Sequence, residues 1–241
     1  MKYLLDSHTH TLASGHAYNT IYEMVKSAAD KKLELLAITE HAKMLPGTCH
    51  ELYFVNLKVL PRELMGIEVM FGAEVNIMNY EGKLDMKEGL LRKMDVVIAS
   101  LHTPCITPGT MSENTSAVLG AIENPLINIL GHPDDGRYPI DFDTVVAAAK
   151  EHHVLLELNN SSLVPSCPRE NAWENDRKIL EMCVKYQAPV IMDSDAHWEG
   201  DVGNHTYSEQ LIREMNFPEE LIINRSVEEY KKYINRFRLQ D

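Results

Sequence analysis

The sequence predicts an α/β fold: a parallel sheet, closed or nearly closed into a barrel and covered by helices, in a single domain. Three observations carry this expectation. Short apolar, β-branched runs alternate with stretches of helical periodicity over the whole chain, the pattern of a sheet built from about seven β-α units. Most of these runs end in a histidine or a carboxylate, whereas an open doubly wound sheet would gather such residues mainly at its switch point. The 241 residues, 44% of them hydrophobic, suffice for one large core, and no repeat, low-complexity tract or linker divides them.

Each unit can be justified in turn. The first run, residues 3–8, passes into Asp6-Ser7-His8-Thr9-His10 and is followed by a helix over 20–32, opened by Thr20-Ile21-Tyr22-Glu23. The second, 33–39, ends in Thr39-Glu40-His41; a surface loop from Lys43 to Glu51, with Pro46, Gly47 and His50, leads to a helix over 56–65. The third, 67–75, carries Gly72-Ala73-Glu74, whose small residues permit close approach of neighbours, and precedes a helix over 85–93. The fourth, 94–101, ends in Ser100-Leu101-His102 before a helix over 112–123, with Ser112-Glu113 at its start. The fifth, 126–131, ends in Gly131-His132-Pro133-Asp134 before a helix over 142–152. The sixth, 154–158, leads through a loop between Ser161 and Glu170 to a helix over 170–186. The seventh, 188–193, passes into Asp193-Ser194-Asp195-Ala196-His197, with helices over 206–215 and 226–236 beyond it. Acceptors and acids at helix starts satisfy free amides and complement the helix dipole.

Composition narrows the function. A formal net charge of −13 opposes non-specific binding to nucleic acid or an anionic membrane. No apolar stretch approaches the ~18 residues of a membrane helix, and the start of the chain lacks a secretory signal, so a cytoplasmic protein is expected. Cys49, Cys105, Cys167 and Cys183 are widely spaced without a C-x-x-C pair, which fits a reducing compartment. Cys105, three residues after His102, reads as a small loop or core residue and stays outside the site.

The strand endings read as a polynuclear metal site. Residues two apart on a strand share a face, so His8 and His10 can reach one ion side by side with Asp6 behind them. His41, His102 and His132 occupy equivalent positions after their runs, and His16 follows on the first loop. Glu74 has two oxygens with which to bridge two ions, while Asp195 and His197 are again two apart. Asp193 fits a helix cap and a supporting role equally well. Imidazole with carboxylate suits zinc, manganese or iron, and zinc is the first choice.

These motifs together resemble the polymerase and histidinol phosphatase (PHP) superfamily over nearly the full chain, and the compact length with His16 resembles its YcdX-like phosphatases. The resemblance implies a PHP domain over 1–241 folded as a distorted (βα)7, TIM-like barrel, with three divalent ions at its carboxyl-terminal mouth. It assigns His8, His10, Glu74 and Asp195 to one ion, Glu74, His102 and His132 to a second, and His16, His41 and His197 to a third. Catalysis is expected to depend on Glu74, Asp195 and His197, with a metal-activated hydroxide attacking phosphorus. Three divalent ions carry about +6 against two carboxylates and a hydroxide, which suits a small phosphomonoester dianion. Lys43, Arg137 and Arg169 lie in mouth loops and are candidates to grip its oxygens. A homo-oligomer, a trimer by resemblance, is also implied. The rivals are a phosphodiesterase or 3′–5′ exonuclease on the same site, and a non-catalytic metal-binding protein.

Overall fold

The computed structural model describes residues 2–239. In chain order its main elements are β1 (Leu5–Asp6), α1 (Ile21–Asp30), β2 (Leu35–His41), α2 (Glu51–Asn56), β3 (Glu63–Leu64), β4 (Ile67–Asn76), α3 (Glu88–Leu91), β5 (Val97–Ser100) and α4 (Met111–Ile122). They continue with β6 (Ile129–Leu130), α5 (Phe142–His152), β7 (Leu155–Asn159), α6 (Ala172–Tyr186), β8 (Val190–Asp193), α7 (Thr206–Glu214), α8 (Val227–Lys231) and α9 (Asn235–Arg238). Strands pair in the order β1-β2-β4-β5-β6-β7-β8, every neighbour parallel, and β3 adds an antiparallel flank to β4. The sheet is a nearly closed barrel of seven parallel strands surrounded by helices, a distorted TIM barrel.

Alternation along the strands fills the barrel. Leu35, Ala37, Met70, Val96, Ile98, Ile129, Leu155 and Ile191 form an inner apolar cluster, plugged at the amino-terminal end by Ile223, Tyr230 and Ile234. Two or four residues further along the same faces stand His41, Glu74, His102, Glu157 and Asn159, so one period-two pattern runs from core to polar mouth. The outward residues, such as Leu36, Ile38, Val69 and Phe71, pack against Met24 and Val25 of α1 and the other helices in a separate core.

Closure between β8 and β1 is made differently. A single parallel bridge joins Thr9 to Ala196, with His10 N–H donating to the Ala196 carbonyl at 2.9 Å. Beside it, Ser7 donates from its amide and hydroxyl to Asp193 (2.6 and 2.9 Å), and Ser194 donates likewise to Asp6 (3.1 and 2.5 Å). Two Asp-Ser dipeptides thus clasp each other across the seam, and Asp193 caps no helix.

Several boundaries differ from the expectations for local reasons. The helix expected over 56–65 starts earlier, at Glu51, where the His50 ring accepts the Leu52 amide. Its second half is a hairpin: Met65 and Gly66 both have positive φ (54° and 79°), the two-residue turn that suits twisted antiparallel strands, and β3 returns on β4. Helix α4 is capped by Thr110 in a reciprocal box with Glu113, ahead of Ser112, and α1 by Thr20 with Glu23. The final helix divides into α8 and α9 around the plug residues. The cysteines are all free. Among the described residues no helix is long and apolar enough to cross a membrane.

Candidate metal centre

Glu74, buried at the end of β4, is the hub of the mouth. Register places it directly beside His41 on β2, and the missing Cβ at Gly72, which would stand 2.1 Å from the Val96 carbonyl, lets the chain entering β5 approach. Its Oε1 lies 3.0 Å from His132 Nε2 and 3.2 Å from His102 Nε2. Its Oε2 lies 2.5 Å from His41 Nδ1, 3.4 Å from His8 Nε2 and 3.5 Å from His10 Nε2. Asp195 Oδ1 faces the same two rings at 3.7 Å (His8) and 3.3 Å (His10), and His197 Nδ1 at 3.5 Å. His132 and Asp195 hold positive φ values of 30° and 52°, strained for residues with a Cβ, at the points where the backbone leaves β6 and β8.

The far nitrogens of these rings are held by the protein. His8 Nδ1 meets Glu157 Oε1 at 2.6 Å, and His102 Nδ1 meets Asn76 Oδ1 at 2.7 Å, with Asn76 in turn donating to Asp85. Ser14 gives its hydroxyl proton to Glu40 (2.6 Å), so at 3.0 Å it can only accept from His10 Nδ1–H, leaving His10 Nε2 with a free lone pair. His16 Nδ1 and His197 Nδ1 face backbone carbonyls, of Ser14 at 3.1 Å and Asp195 at 2.9 Å. Both therefore donate there, and their Nε2 lone pairs point at each other across 3.0 Å. Two facing lone pairs repel unless a cation lies between them.

This donor set fits divalent cations. His8 Nε2, His10 Nε2, His41 Nδ1 and Glu74 Oε2 are buried with no hydrogen-bond partner, a costly arrangement that a metal ion would relieve. Three groups of donors lie within 4.8 Å of one another: His8, His10 and Glu74; His41, Glu74 and His102; His10, His41 and His197. His41 thus faces both the Glu74 hub and the outer histidines. Burial, with His41 and His197 close by, holds His10 well below the usual imidazole range, and burial also lowers His16. Burial opposes charge on Glu74 and Asp195, but the surrounding imidazoles outweigh it and keep both carboxyls well below the carboxylate range. Burial opposes charge on His8 too, but Glu157, Glu74 and Asp195 outweigh it and raise His8 well above the usual imidazole range, so a transition metal binding there would displace a proton.

All nine residues named from the sequence fall in this one contact network. Of the three basic candidates, only Arg169 joins it, donating to Asp195 Oδ2 at 3.1 Å and to Ser162 Oγ at 2.8 Å. Lys43 pairs with Glu51 at 2.5 Å, and Arg137 grips Asp135 through two nitrogens at 2.6–3.0 Å. Burial pushes the Cys105 thiol up to about 11, so it is not a thiolate at neutral pH. The sequence reading missed Glu157, Asn159, Asn76, Ser14 and Glu40. Glu157 and Asn159 were within its reach, because they alternate with Leu155 on the sixth run as Glu74 does with Met70 on the third.

The family model described as the PHP domain matches residues 6–236. The chain belongs to the PHP family. This PHP domain is 46% identical over 230 residues to a protein of Caldicellulosiruptor bescii named "Probable phosphatase", covering 95% of each chain. A "Probable phosphatase" of Clostridium novyi is 43% identical over 234 residues, covering 97% of this chain and 95% of its own. Among solved structures, a histidinol phosphate phosphatase of Lactococcus lactis complexed with zinc, L-histidinol and phosphate superposes with a TM-score of 0.63. It is 19% identical, with 89% of this chain and 94% of that one covered, and the likeness is one of fold.

Proposed function

We propose that this PHP-family protein is a metal-dependent phosphatase that hydrolyses small phosphomonoesters at a centre of three divalent cations, zinc foremost, with manganese or iron as alternatives. The observation that carries the reading is Glu74, a buried carboxylate whose two oxygens each face at least two imidazole nitrogens. His8, His10, Glu74 and Asp195 would hold one cation, Glu74, His102 and His132 a second, and His16, His41 and His197 a third. When bound, such cations supply Lewis acidity and lower the pKa of a water enough to make it a nucleophile near neutrality.

The chain's own part is to hold these donors in place and to complete the phosphate pocket. Arg169, 14% exposed and bonded to Asp195, is the cation placed to donate to a phosphoryl oxygen beside the ligands. Lys43 and Arg137, engaged with neighbouring carboxylates, are assigned a lesser part at the rim. With its thiols free and Cys105 protonated, the mouth offers no thiolate nucleophile. The zinc, L-histidinol and phosphate of the Lactococcus structure support the chemical class of metal and substrate. They do not single out histidinol phosphate for this chain. The net charge of −13 supports a small substrate over a polynucleotide. The proposal extends to a cytoplasmic homo-oligomer, with a trimer as the first state to test by sedimentation.

The experiment compares kcat/KM of metal-loaded protein on small phosphomonoesters, a model phosphodiester and single-stranded DNA at one pH and salt. Faster monoester hydrolysis, abolished by chelator, is expected. A chelator-sensitive preference for the diester or DNA would replace the monoesterase reading with the nuclease one. No hydrolysis by fully loaded protein would favour a non-catalytic cluster.

A further inference from the structure

We infer that Glu157 is a positioning residue that couples two of the proposed cation positions, an inference that rests on the metal-centre reading above. Glu157 is buried on β7, and its two oxygens reach ligands assigned to different cations. Oε1 meets His8 Nδ1 at 2.6 Å. Oε2 accepts the backbone amide of His132, also at 2.6 Å. That amide belongs to a residue held at φ 30°, so the second bond fixes a strained backbone turn that aims the His132 ring at Glu74. Asn159, on the same face of β7, extends the contact by donating from one nitrogen to Glu157 Oε2 (3.1 Å) and to Asp195 Oδ2 (3.2 Å).

The chemistry follows from acceptor counting. An ionised carboxylate accepts at both oxygens, which is what His8 Nδ1–H and the His132 amide require. With Nδ1 committed to Glu157, Nε2 is the nitrogen that His8 has left for a cation shared with Glu74 and Asp195. The same carboxylate sets the His132 ring, so a disturbance at Glu157 reaches both positions although it touches neither cation. Glu74 also joins the two positions, but directly, by its own oxygens. Replacement of Glu157 by glutamine keeps volume and one acceptor, but turns the other oxygen into a donor facing a donor. One of the two bonds must then break, and the strained turn and the His8 tautomer can no longer both be held.

The test titrates zinc onto metal-free wild-type and Glu157→Gln protein against a chromophoric chelator, with folding checked by circular dichroism. The affinity of two of the three positions should fall together, about ten- to hundredfold, while the third is unchanged. In metal-free protein the short bond to Glu157 should give the His8 Nδ1 proton a far-downfield NMR resonance that the variant lacks. In the cobalt-loaded protein the visible absorption bands of the variant should shift. If Glu157→Gln does not fold, Glu157→Asp, which keeps the charge but is too short to span both partners, should show the same paired loss. Unchanged zinc affinities, or a loss confined to one position, would overturn the coupling while leaving the metal centre intact. Wild-type protein that takes up no zinc would overturn the metal reading, and this inference with it.

Discussion

The two ends of the histidine cluster are supported in different ways. At the inner end, the His8 and His10 side chains are fully buried, and their outer nitrogens lead to carboxylates, directly through Glu157 or by way of Ser14 to Glu40. At the outer end His16 is exposed and the His197 side chain is 29% exposed; the Nδ1 of each meets a backbone carbonyl at 2.9–3.1 Å, and the Asp195 carboxylate stands further from His197 Nδ1, at 3.5 Å. A carboxylate partner raises the basicity of an imidazole and fixes its tautomer more firmly than a carbonyl does. On the proposed reading, the difference teaches that one site would hold cations of unequal permanence: two within a charged, buried frame, and one between buried His41 and two solvent-washed rings.

The largest expected effect tests the inner end. Glu74→Ala should lose two of three ions by elemental analysis and reduce turnover about a thousandfold, with circular dichroism unchanged. Asp143→Ala, which removes a surface partner of Lys185 and Tyr186, should do neither. Full metal content in the Glu74 variant would dissolve the distinction between the ends.

Next comes the outer end. Limiting chelator should remove one ion per chain before the other two, and His16→Ala should reproduce that state with a fall in turnover of about tenfold. Simultaneous release of all three would mean that the ends act as one. Ser14→Ala sharpens the comparison because Ser14 serves both ends, its hydroxyl meeting the His10 ring and accepting the His41 amide, and its carbonyl meeting His16. Only the hydroxyl is lost, so affinity should drop about tenfold at the inner end, where it holds a ligand ring, and less at the outer end, where it holds only the His41 backbone. The smallest effect belongs to residues outside both ends: Lys43→Ala and Arg137→Ala should change kcat/KM by about twofold or less, since each is already paired with a carboxylate. A much larger loss in either would bring that residue into the phosphate pocket.

Much of this was legible in the chain. The alternation of runs and helices read out the barrel, and the polar run endings pointed to residues that gather at its mouth, although Asp195, at φ 52° beyond β8, reaches His8 and His10 through a turn and not by strand alternation. What escaped were partnerships that no local pattern encodes. Glu157 meets His132 across neighbouring strands, and Asn76 meets His102 from the end of β4, so each pairing depends on register and on the angle of the mouth. The Met65-Gly66 hairpin escaped for a different reason: apolar residues on both sides of Pro61 continue a helical spacing, and the turn shows only in backbone angles.

The seam between β1 and β8 gives the centre a mechanical meaning. Elsewhere around the barrel a ladder of backbone bonds joins neighbours, but here one bridge, the two Asp-Ser clasps and the Asn224 side chain, which donates to the Leu5 and Met192 carbonyls, do so, and His8 and His10 face Asp195 and His197 across the gap. On the proposed reading, a cation held between His8, His10 and Asp195 is also a rivet between the first strand and the last. Opening the seam would require releasing it. Amides along this line, those of Ser7, His10 and Ser194, should then exchange with solvent faster in metal-free protein than in loaded protein, while those of β4 should not. The barrel would be fastened by its own cofactor at the place where its backbone leaves it least closed.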